Sequence, residues 1–157
     1  MRTDILDLHR FYETPLGGKA AAFIGARLAE VWGDGVGLRI GGFGYAGPFL
    51  KAFPEAERRL NFAPEAQGVV HWPPEKPNAS ALVADTHWPL PDASLDRVLI
   101  VHGLEETHDP HRLMREIWRV LAPDGRLVVV AAHRRGFWSA LDMSPFAAGR
   151  PYSRRQL

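Results

Sequence analysis

Cysteine is absent from this chain of 157 residues. The absence excludes disulfide bonds, catalysis by a thiolate nucleophile and zinc sites with cysteine ligands. A long hydrophobic run is lacking too, since no window approaches the ~18 to 20 consecutive apolar residues of a membrane span. The N-terminal segment MRTDILDLHRFYETPLGG carries charges every few residues and has no apolar stretch typical of a signal peptide. We therefore expect a cytoplasmic protein without a membrane span.

The chain also has little excess charge of either sign. Nineteen Lys and Arg residues stand against 18 Asp and Glu, for a formal net charge of +1. No overall field therefore favours nucleic acid or an anionic membrane as a partner. The hydrophobic fraction of 46% and the charged fraction of 24% are those of an ordinary globular protein. The length suits a single domain with one core.

Helical and strand patterns alternate along the chain. Apolar residues at helical spacing predict helices over 4–12 and 19–32, with a break at TPLGG between them. A helix is predicted after the glycine loop and must end by about Phe53, because Pro54 follows. A further helix is capped by Asp109 and opened by Pro110. Its predicted inner face consists of Leu113, Met114, Ile117, Trp118 and Leu121. Strands are predicted at 38–43, 59–62, 80–84, 96–101 and 126–132. This alternation predicts an α/β fold with a doubly wound, mostly parallel sheet.

The segment LRIGGFGYAGPFL, residues 38–50, places Gly42, Gly44 and Gly47 in a G-x-G-x-x-G spacing after a predicted strand. Such a loop can bring the backbone close to the phosphates of a dinucleotide, provided that an acidic residue follows ~20 residues later. Ala63 stands at that later position. The glycines alone are therefore weak evidence for a nicotinamide or flavin enzyme.

Two phrases in the second half, ALVADTHWPLPDASLDRVLIV and LMREIWRVLAPDGRLVVV, resemble class I S-adenosylmethionine-dependent methyltransferases, in particular the type 11 small-molecule group. In that family a strand ends in an acidic residue, a proline-rich phrase precedes the fourth strand, and an L-E-RVL-PGG phrase leads into the fifth. The match extends over about residues 36–132. It implies a Rossmann-like methyltransferase fold, S-adenosylmethionine as cofactor and methyl transfer to a small or lipid-like acceptor.

The resemblance also implies where the cofactor would bind. Asp85 ends the third strand, where the family's acid accepts a hydrogen bond from the adenine amino group; capping of the next turn is the alternative. The family's glycine loop has an acid where Gly42 stands and a glycine where Ala46 stands, and we expect a penalty if Ala46 needs a positive φ. The ribose-binding acid falls at Ala63, with Glu65 two residues later. The implied contacts are Gly42, Gly44, Tyr45, Ala46, Glu65, Asp85, Thr86 and His102.

His102, at the end of the fourth strand, is the one candidate for a catalytic residue, with a purely structural role as the alternative. The segment HGLEETHDPH, residues 102–111, is rich in histidine and acidic side chains. Its spacing matches no pair of metal ligands on one helix face, and Pro110 interrupts it, so we expect no metal site. We expect Trp88 in the core and not at the rim of the cofactor site.

Five strands are predicted, whereas the family's sheet has seven, the last two forming an antiparallel hairpin beside the fifth. We therefore expect one methyltransferase-like domain, with N-terminal helices in 1–35, a cofactor-binding core in 36–132 and an incomplete C-terminal part in 133–157 that lacks this hairpin. The chain would then be truncated, or complete its sheet with a partner. The fifth strand would be an exposed edge, open to a second copy of the chain or another protein.

Two hypotheses about function follow. The first is a methyltransferase acting on a small or lipid-like acceptor, with cofactor binding kept through backbone contacts. The second is a non-catalytic scaffold with a methyltransferase-like fold that acts through protein association. Gly42 and Ala63 in place of acidic residues favour the second hypothesis. No nucleic acid partner is expected for either.

Overall fold

Five parallel strands form the sheet of the computed structural model, which describes residues 3–105 and 107–132. Their order is β3-β2-β1-β4-β5, and every neighbouring pair is parallel. The strands are β1 (Arg39–Gly44), β2 (Arg58–Pro64), β3 (Ser80–Val83), β4 (Leu95–Val101) and β5 (Leu121–Val130). The helices are α1 (Ile5–Glu13), α2 (Pro15–Trp32), α3 (Gly47–Leu50) and α4 (Pro110–Val120). Successive strands are added on one side of β1 as far as β3, and then on its other side as β4 and β5. This switch point between β1 and β4 confirms the predicted doubly wound sheet.

The first two helices meet at Thr14. Its side chain accepts a hydrogen bond from Gly17 N, and Pro15 occupies the first turn of α2. Proline suits this place because its missing N–H would have no partner there. The prediction that α2 begins at Lys19 was therefore wrong by one turn, since the TPLGG segment ends α1 and opens α2 at once. A Cβ at Gly17 would lie 2.1 Å from the Phe11 carbonyl oxygen, so glycine permits this close approach.

Helix α4 buries a narrower face than predicted. Leu113, Ile117 and Val120 are buried, whereas the Trp118 side chain is 81% exposed. The assignment of Trp118 to the inner face was wrong. Successive helix residues are about 100° apart, so Trp118 next to Ile117 points to the flank of the helix. None of the described helices is long and apolar enough to cross a membrane.

Apolar side chains cover both faces of the sheet. On one face α1, α2 and α3 pack on residues that include Ile40, Leu99 and Val101. On the other, α4 and Trp88 pack on Phe43, Phe62 and further strand residues. The Trp88 ring is 1% exposed and stacks 5.3 Å from the Phe43 ring, which confirms its predicted place in the core.

Glu116 and Arg119 of α4 hold the proline-rich segment that includes Trp88 and Asp92 against the helix. Glu116 is buried and accepts a hydrogen bond from Trp88 N at 2.6 Å. Arg119 donates to Glu116, to Asp92 and to the carbonyl oxygens of Trp88 and Leu90. The hydrogen bond from Arg119 holds the pKa of Glu116 below its usual range. These two residues of the L-E-RVL phrase therefore stabilise the fold behind the site.

The last strand begins earlier than predicted. Leu121 already pairs with Leu95, and the ladder then shifts so that Arg97 pairs with Arg126. The residues between these two pairs, 122–125, form the predicted turn. This turn is tight, because a Cβ at Gly125 would lie 2.8 Å from the Ala122 carbonyl oxygen. The tight turn is thus an irregularity within β5. The predicted C-terminal part, residues 133–157, lies outside the described residues.

Candidate cofactor site

The glycine loop leaves the carboxyl end of β1 and crosses towards β4. Gly44 has a φ of +79°, and a Cβ there would lie 2.3 Å from the Val101 carbonyl oxygen. Only glycine fits both conditions. Tyr45 N donates to the same carbonyl at 2.7 Å, and α3 begins two residues later. The loop is therefore held against the end of β4, at the point where the sheet changes direction.

Gly42 and Ala46, the two positions that depart from the family pattern, touch each other. A Cβ at Gly42 would lie 2.5 Å from the Ala46 Cβ, so the alanine methyl fills the space of a side chain at position 42. Ala46 has a φ of −81° and a ψ of −25°. The expectation that Ala46 could suffer from a positive φ was wrong, because the loop places this residue in the ordinary right-handed region. The two departures are physically coupled.

A cleft of about 270 Å³ opens beside this loop. Gly44, Tyr45 and Gly47 line it from the loop, and Asn61 of β2 and Trp72 line it next to Gly47. The volume is close to the lower end of the range for small-molecule sites, about 300 to 1,000 Å³. In open α/β sheets ligands bind at the carboxyl ends of the strands near such a switch point. The cleft therefore lies in the position where open α/β sheets bind their ligands.

Two buried polar atoms beside the cleft have no hydrogen-bond partner among residues 3–105 and 107–132. They are the acceptor Oδ1 of Asn61 and the donor Nε1 of Trp72. The two side chains are 5% and 4% exposed, respectively. A buried polar group without a partner costs about 1–3 kcal/mol, so such groups point to a missing water or ligand.

The carboxylate that the family uses for the ribose is missing from the end of β2. Ala63 is buried there, and Pro64 completes the strand. Glu65 follows in a turn, where it is exposed and does not line the cleft. Asn61, two residues before Ala63, does line it. Sequence reasoning missed Asn61, although an amide inside the otherwise apolar LNFA stretch was a signal.

Asp85 follows β3 and is half-buried. Its Oδ2 accepts a hydrogen bond from the Thr107 hydroxyl at 2.7 Å, and Thr107 belongs to the loop after β4. This contact links the segments that follow β3 and β4 above the carboxyl edge of the sheet. Thr86 is exposed. Neither residue lines the cleft beside Gly44, so the predicted cofactor residues lie in separate parts of the same edge.

His102 lies at the end of β4 in a chain of three polar side chains. Its Nε2 lies 2.7 Å from the Tyr12 hydroxyl, and its Nδ1 lies 3.3 Å from Oε1 of Glu105. A neutral imidazole that donates from Nδ1 to the carboxylate accepts from the phenol at Nε2. His102 has a φ of +52°, which is uncommon for a residue with a side chain and is found at functional sites.

Helix α1 brings Tyr12 over the loop. The Tyr12 ring is stacked on Tyr45, with centroids 5.0 Å apart, and His9 Nδ1 lies 3.2 Å from the Tyr45 hydroxyl. Burial, together with the nearby Tyr45 and Glu105, raises the pKa of Tyr12 above its usual value. Burial and Glu13 raise the pKa of Tyr45 to about 12. Both phenols are therefore neutral hydrogen-bonding groups at physiological pH. The sequence analysis predicted the helix that contains Tyr12 but gave this residue no role in the site.

Potential metal ligands do not converge. Across the described ranges no group of three histidine or acidic side chains is arranged to hold a metal ion. In the segment 102–111, His102 and Glu105 contact each other, while Asp109 caps α4 by accepting from Arg112 N. Glu106 lies outside the described residues.

Comparison with solved structures agrees with this architecture. A structure of a SAM-dependent methyltransferase from Aquifex aeolicus superposes with a TM-score of 0.62 at 16% identity, covering 96% of this chain and 81% of that one. The cyclase SpnF superposes with a TM-score of 0.64 at 22% identity, covering 88% and 54%. At these identities the likeness shows the fold alone. The fold of the chain is therefore the Rossmann-like fold of these proteins, with a cleft at the carboxyl end of β1.

The sequence comparison establishes the family. The pattern of the family described as Methyltransferase domain matches residues 50–129, just over half of the chain. The chain belongs to this family, and S-adenosylmethionine is the cofactor that the family implies. The uncharacterised protein YafS of Escherichia coli (strain K12) is 39% identical over 70 residues, which cover 44% of this chain. The chain spans 29% of the length of that curated relative.

The residues that line the cleft fit the cofactor in part. They provide a glycine-framed opening, an unpaired acceptor at Asn61 and an unpaired donor at Trp72. A carboxylate is missing at Gly42 and Ala63, where the family has one.

Proposed function

We propose that this chain forms the cofactor-binding part of an S-adenosylmethionine-dependent methyltransferase that acts on a small or lipid-like acceptor. The observation that carries the proposal is the cleft beside Gly44, at the carboxyl end of β1, in a chain of this family. The bound cofactor supplies a methyl group on a positively charged sulfur, which an acceptor displaces in line. The protein contributes mainly by holding the two reactants in position.

Several groups along the carboxyl edge of the sheet would contribute to cofactor binding. The backbone around Gly44 lets a ligand approach β1, because no side chain covers that point. Asp85 is the proposed acceptor of a hydrogen bond from the adenine amino group, because it follows β3 at the carboxyl edge of the sheet and a carboxylate is a hydrogen-bond acceptor. The stacked rings of Tyr12 and Tyr45 form an apolar wall next to the loop. Gly42, Ala46, Glu65 and Thr86 remain proposed neighbours of the cofactor.

His102 is the proposed base that takes a proton from the group to be methylated. A hydroxyl or amine loses a proton as it is methylated, and a nearby base assists that loss. Glu105 is 5% exposed and lies beside Nδ1 of His102, where its charge stabilises a protonated imidazole. The Tyr12 hydroxyl now occupies the other nitrogen, so it must turn away or pass on the proton when an acceptor binds.

Calorimetric titration with S-adenosylmethionine and S-adenosylhomocysteine tests the cofactor role. We expect micromolar binding to the unmodified chain and a loss of at least about tenfold in Asp85→Ala, the usual effect of losing one hydrogen bond to a charged group. The matched control is Thr107→Val, which removes the partner of Asp85 but leaves its carboxylate. This control should bind within about threefold of the unmodified chain. Equal losses in both variants would mean that Asp85 only holds the loop.

Protein association is the second candidate function, and one observation favours it. β5 is the last strand in the described sheet, and a groove of about 300 Å³ runs between it and α2. Phe23 and Val31 on this groove are 69% and 48% exposed. A second copy of the chain or another protein could cover such an edge. Failure of a folded chain to bind either cofactor form, together with a dimer in light scattering, would favour this scaffold function.

The domain limits and the location also remain proposals. We propose a single domain over 1–157 in the cytoplasm. Limited proteolysis in which the chain resists cleavage as one unit would support the domain limits, and cell fractionation would test the location.

A further inference from the structure

Tyr12 of α1 bridges the two strand ends that flank the switch point of the sheet. Its ring is stacked on Tyr45, the residue that directly follows β1, with centroids 5.0 Å apart. Its hydroxyl lies 2.7 Å from Nε2 of His102, the residue that directly follows β4. In open α/β sheets the ligand lies in the crevice outside such a pair of strand ends. One side chain of α1 therefore spans the place where a ligand of this fold lies.

The same side chain covers His102, the proposed base. The His102 side chain is 10% exposed, with Nδ1 facing Glu105 and Nε2 facing the Tyr12 hydroxyl. The Tyr12 ring is also in edge contact with the Phe49 ring, at a centroid distance of 5.6 Å. A methyl acceptor therefore reaches Nε2 only after Tyr12 has left these contacts.

Tyr12 can leave its place without unfolding of the whole helix. It lies in the last turn of α1, which ends at Glu13. The buried residues of α1 are Ile5 and Leu8, both in its first turn. The ends of helices open locally at a much lower free energy than the core of a protein. The end of α1 can therefore release Tyr12 while Ile5 and Leu8 stay packed.

We propose that Tyr12 is an autoinhibitory cover of the site, which must leave Tyr45 and His102 before the cofactor binds between β1 and β4. This inference rests on the proposed function, because it concerns access to the same site. The measured affinity is then the affinity of the open site reduced by the fraction of chains that are open. Any change that weakens the contacts of Tyr12 raises this fraction and tightens binding.

Calorimetric titration with S-adenosylhomocysteine tests the cover. Tyr12→Ala removes the hydrogen bond and the ring contacts, so it should bind at least about fivefold more tightly than the unmodified chain. Tyr12→Phe keeps the ring and loses only the hydrogen bond, so it should bind at least about twofold more tightly. Arg10→Gln is the matched control, because exposed Arg10 pairs with Asp7 of the same helix. Its affinity should stay within about 1.5-fold of the unmodified chain.

Nitration by tetranitromethane gives a readout of the Tyr12 side chain itself. The reagent attacks the phenolate, and burial raises the pKa of Tyr12, so the covered side chain should react slowly. Peptide mass spectrometry separates Tyr12 from the other two tyrosines of the chain. Saturating S-adenosylhomocysteine should raise the nitration rate of Tyr12 at least about fivefold, because binding holds the site open.

Circular dichroism confirms folding of each variant, and Tyr12→Phe together with the nitration rate carries the test if Tyr12→Ala does not fold. The inference is overturned if the Tyr12 variants bind equally or more weakly, the result expected of a ring that stays in place as a wall beside the cofactor. A nitration rate that S-adenosylhomocysteine leaves unchanged or lowers would also overturn it. If neither the unmodified chain nor Tyr12→Ala binds while folded, the proposed function and this inference fail together, whereas weaker binding by Tyr12→Ala refutes the inference alone.

Discussion

The contact between positions 42 and 46 can be tested through stability. In Gly42→Ala the new Cβ would lie 2.5 Å from the Ala46 Cβ and 3.1 Å from Cδ1 of Leu50. Carbon atoms prefer a separation of about 3.5–4.0 Å, so β1 and the start of α3 must move apart by about 1 Å. Ala46 is fully buried and has no space to yield. Overpacking of this kind costs about 1–3 kcal/mol.

The reciprocal change makes room at the same point. Ala46→Gly alone removes a buried methyl group, worth about 0.8 kcal/mol, and adds about 0.5–1 kcal/mol of backbone entropy. In the double variant the methyl at position 42 occupies the space that the methyl at position 46 has left. The double variant should therefore be about as stable as Ala46→Gly alone. The expected coupling between the two changes is about 1–3 kcal/mol in favour of the pair.

Urea unfolding of the four proteins, followed by circular dichroism, measures this coupling. Gly18→Ala is the control, because Gly18 is exposed in α2 and a Cβ there meets nothing within 4 Å. This control should be stabilised by about 0.5–1 kcal/mol. Effects of the two changes that add within about 0.5 kcal/mol would refute the steric coupling. A confirmed coupling would mean that the family's acid can return at position 42 only together with glycine at position 46.

Three further predictions concern the fold around the site. Arg119→Met leaves the buried Glu116 carboxylate without its main partner and should lower the free energy of unfolding by about 2–3 kcal/mol; a urea midpoint within error of the unmodified chain would contradict this. Because the pKa of Glu116 is lowered on folding, its stabilisation is complete above about pH 4.3 and is lost as the pH falls through the lowered value. The difference in urea midpoint between the unmodified chain and Glu116→Gln should narrow between about pH 6 and pH 3, and a constant difference would refute the assignment. Gly44→Ala forces a side chain into a φ of +79° and against the Val101 carbonyl, so it should lose at least about 2 kcal/mol or fail to fold in a thermal unfolding assay; an unchanged midpoint would contradict the described loop.

Local signals were sufficient for most of the fold. The Asp109–Pro110 pair predicted the start of α4 correctly through its own hydrogen-bonding chemistry. The Thr14–Pro15 pair has the same chemistry, but it was interpreted only as a break between helices. The pattern did not show which flank of α4 faces the sheet, because Trp118 is apolar and yet exposed. A periodic pattern shows which positions are apolar, but it does not show whether the core has space for each side chain.

The candidate site was predicted less completely. Gly42, Gly44, Asp85 and His102 were noted because they stand at strand ends, and a parallel sheet gathers its carboxyl ends at one edge. Their partners Tyr12 and Thr107 come from α1 and from the loop after β4, and the pairing of Tyr12 with His102 spans 90 positions. Spacing along the chain carries no information about such pairs.

Periodicity, turn chemistry and local phrases were enough to predict the parallel α/β sheet, the family and the glycine loop. The packing of the folded chain, in contrast, places the Ala46 methyl in the space of a side chain at Gly42, and brings Asn61 and Trp72 together at Gly47. These outcomes depend on distances of a few tenths of an ångström between residues brought together by the packing of α3 and the strands. Close packing makes such distances decisive, since a single methyl group either fills a space or excludes its neighbour.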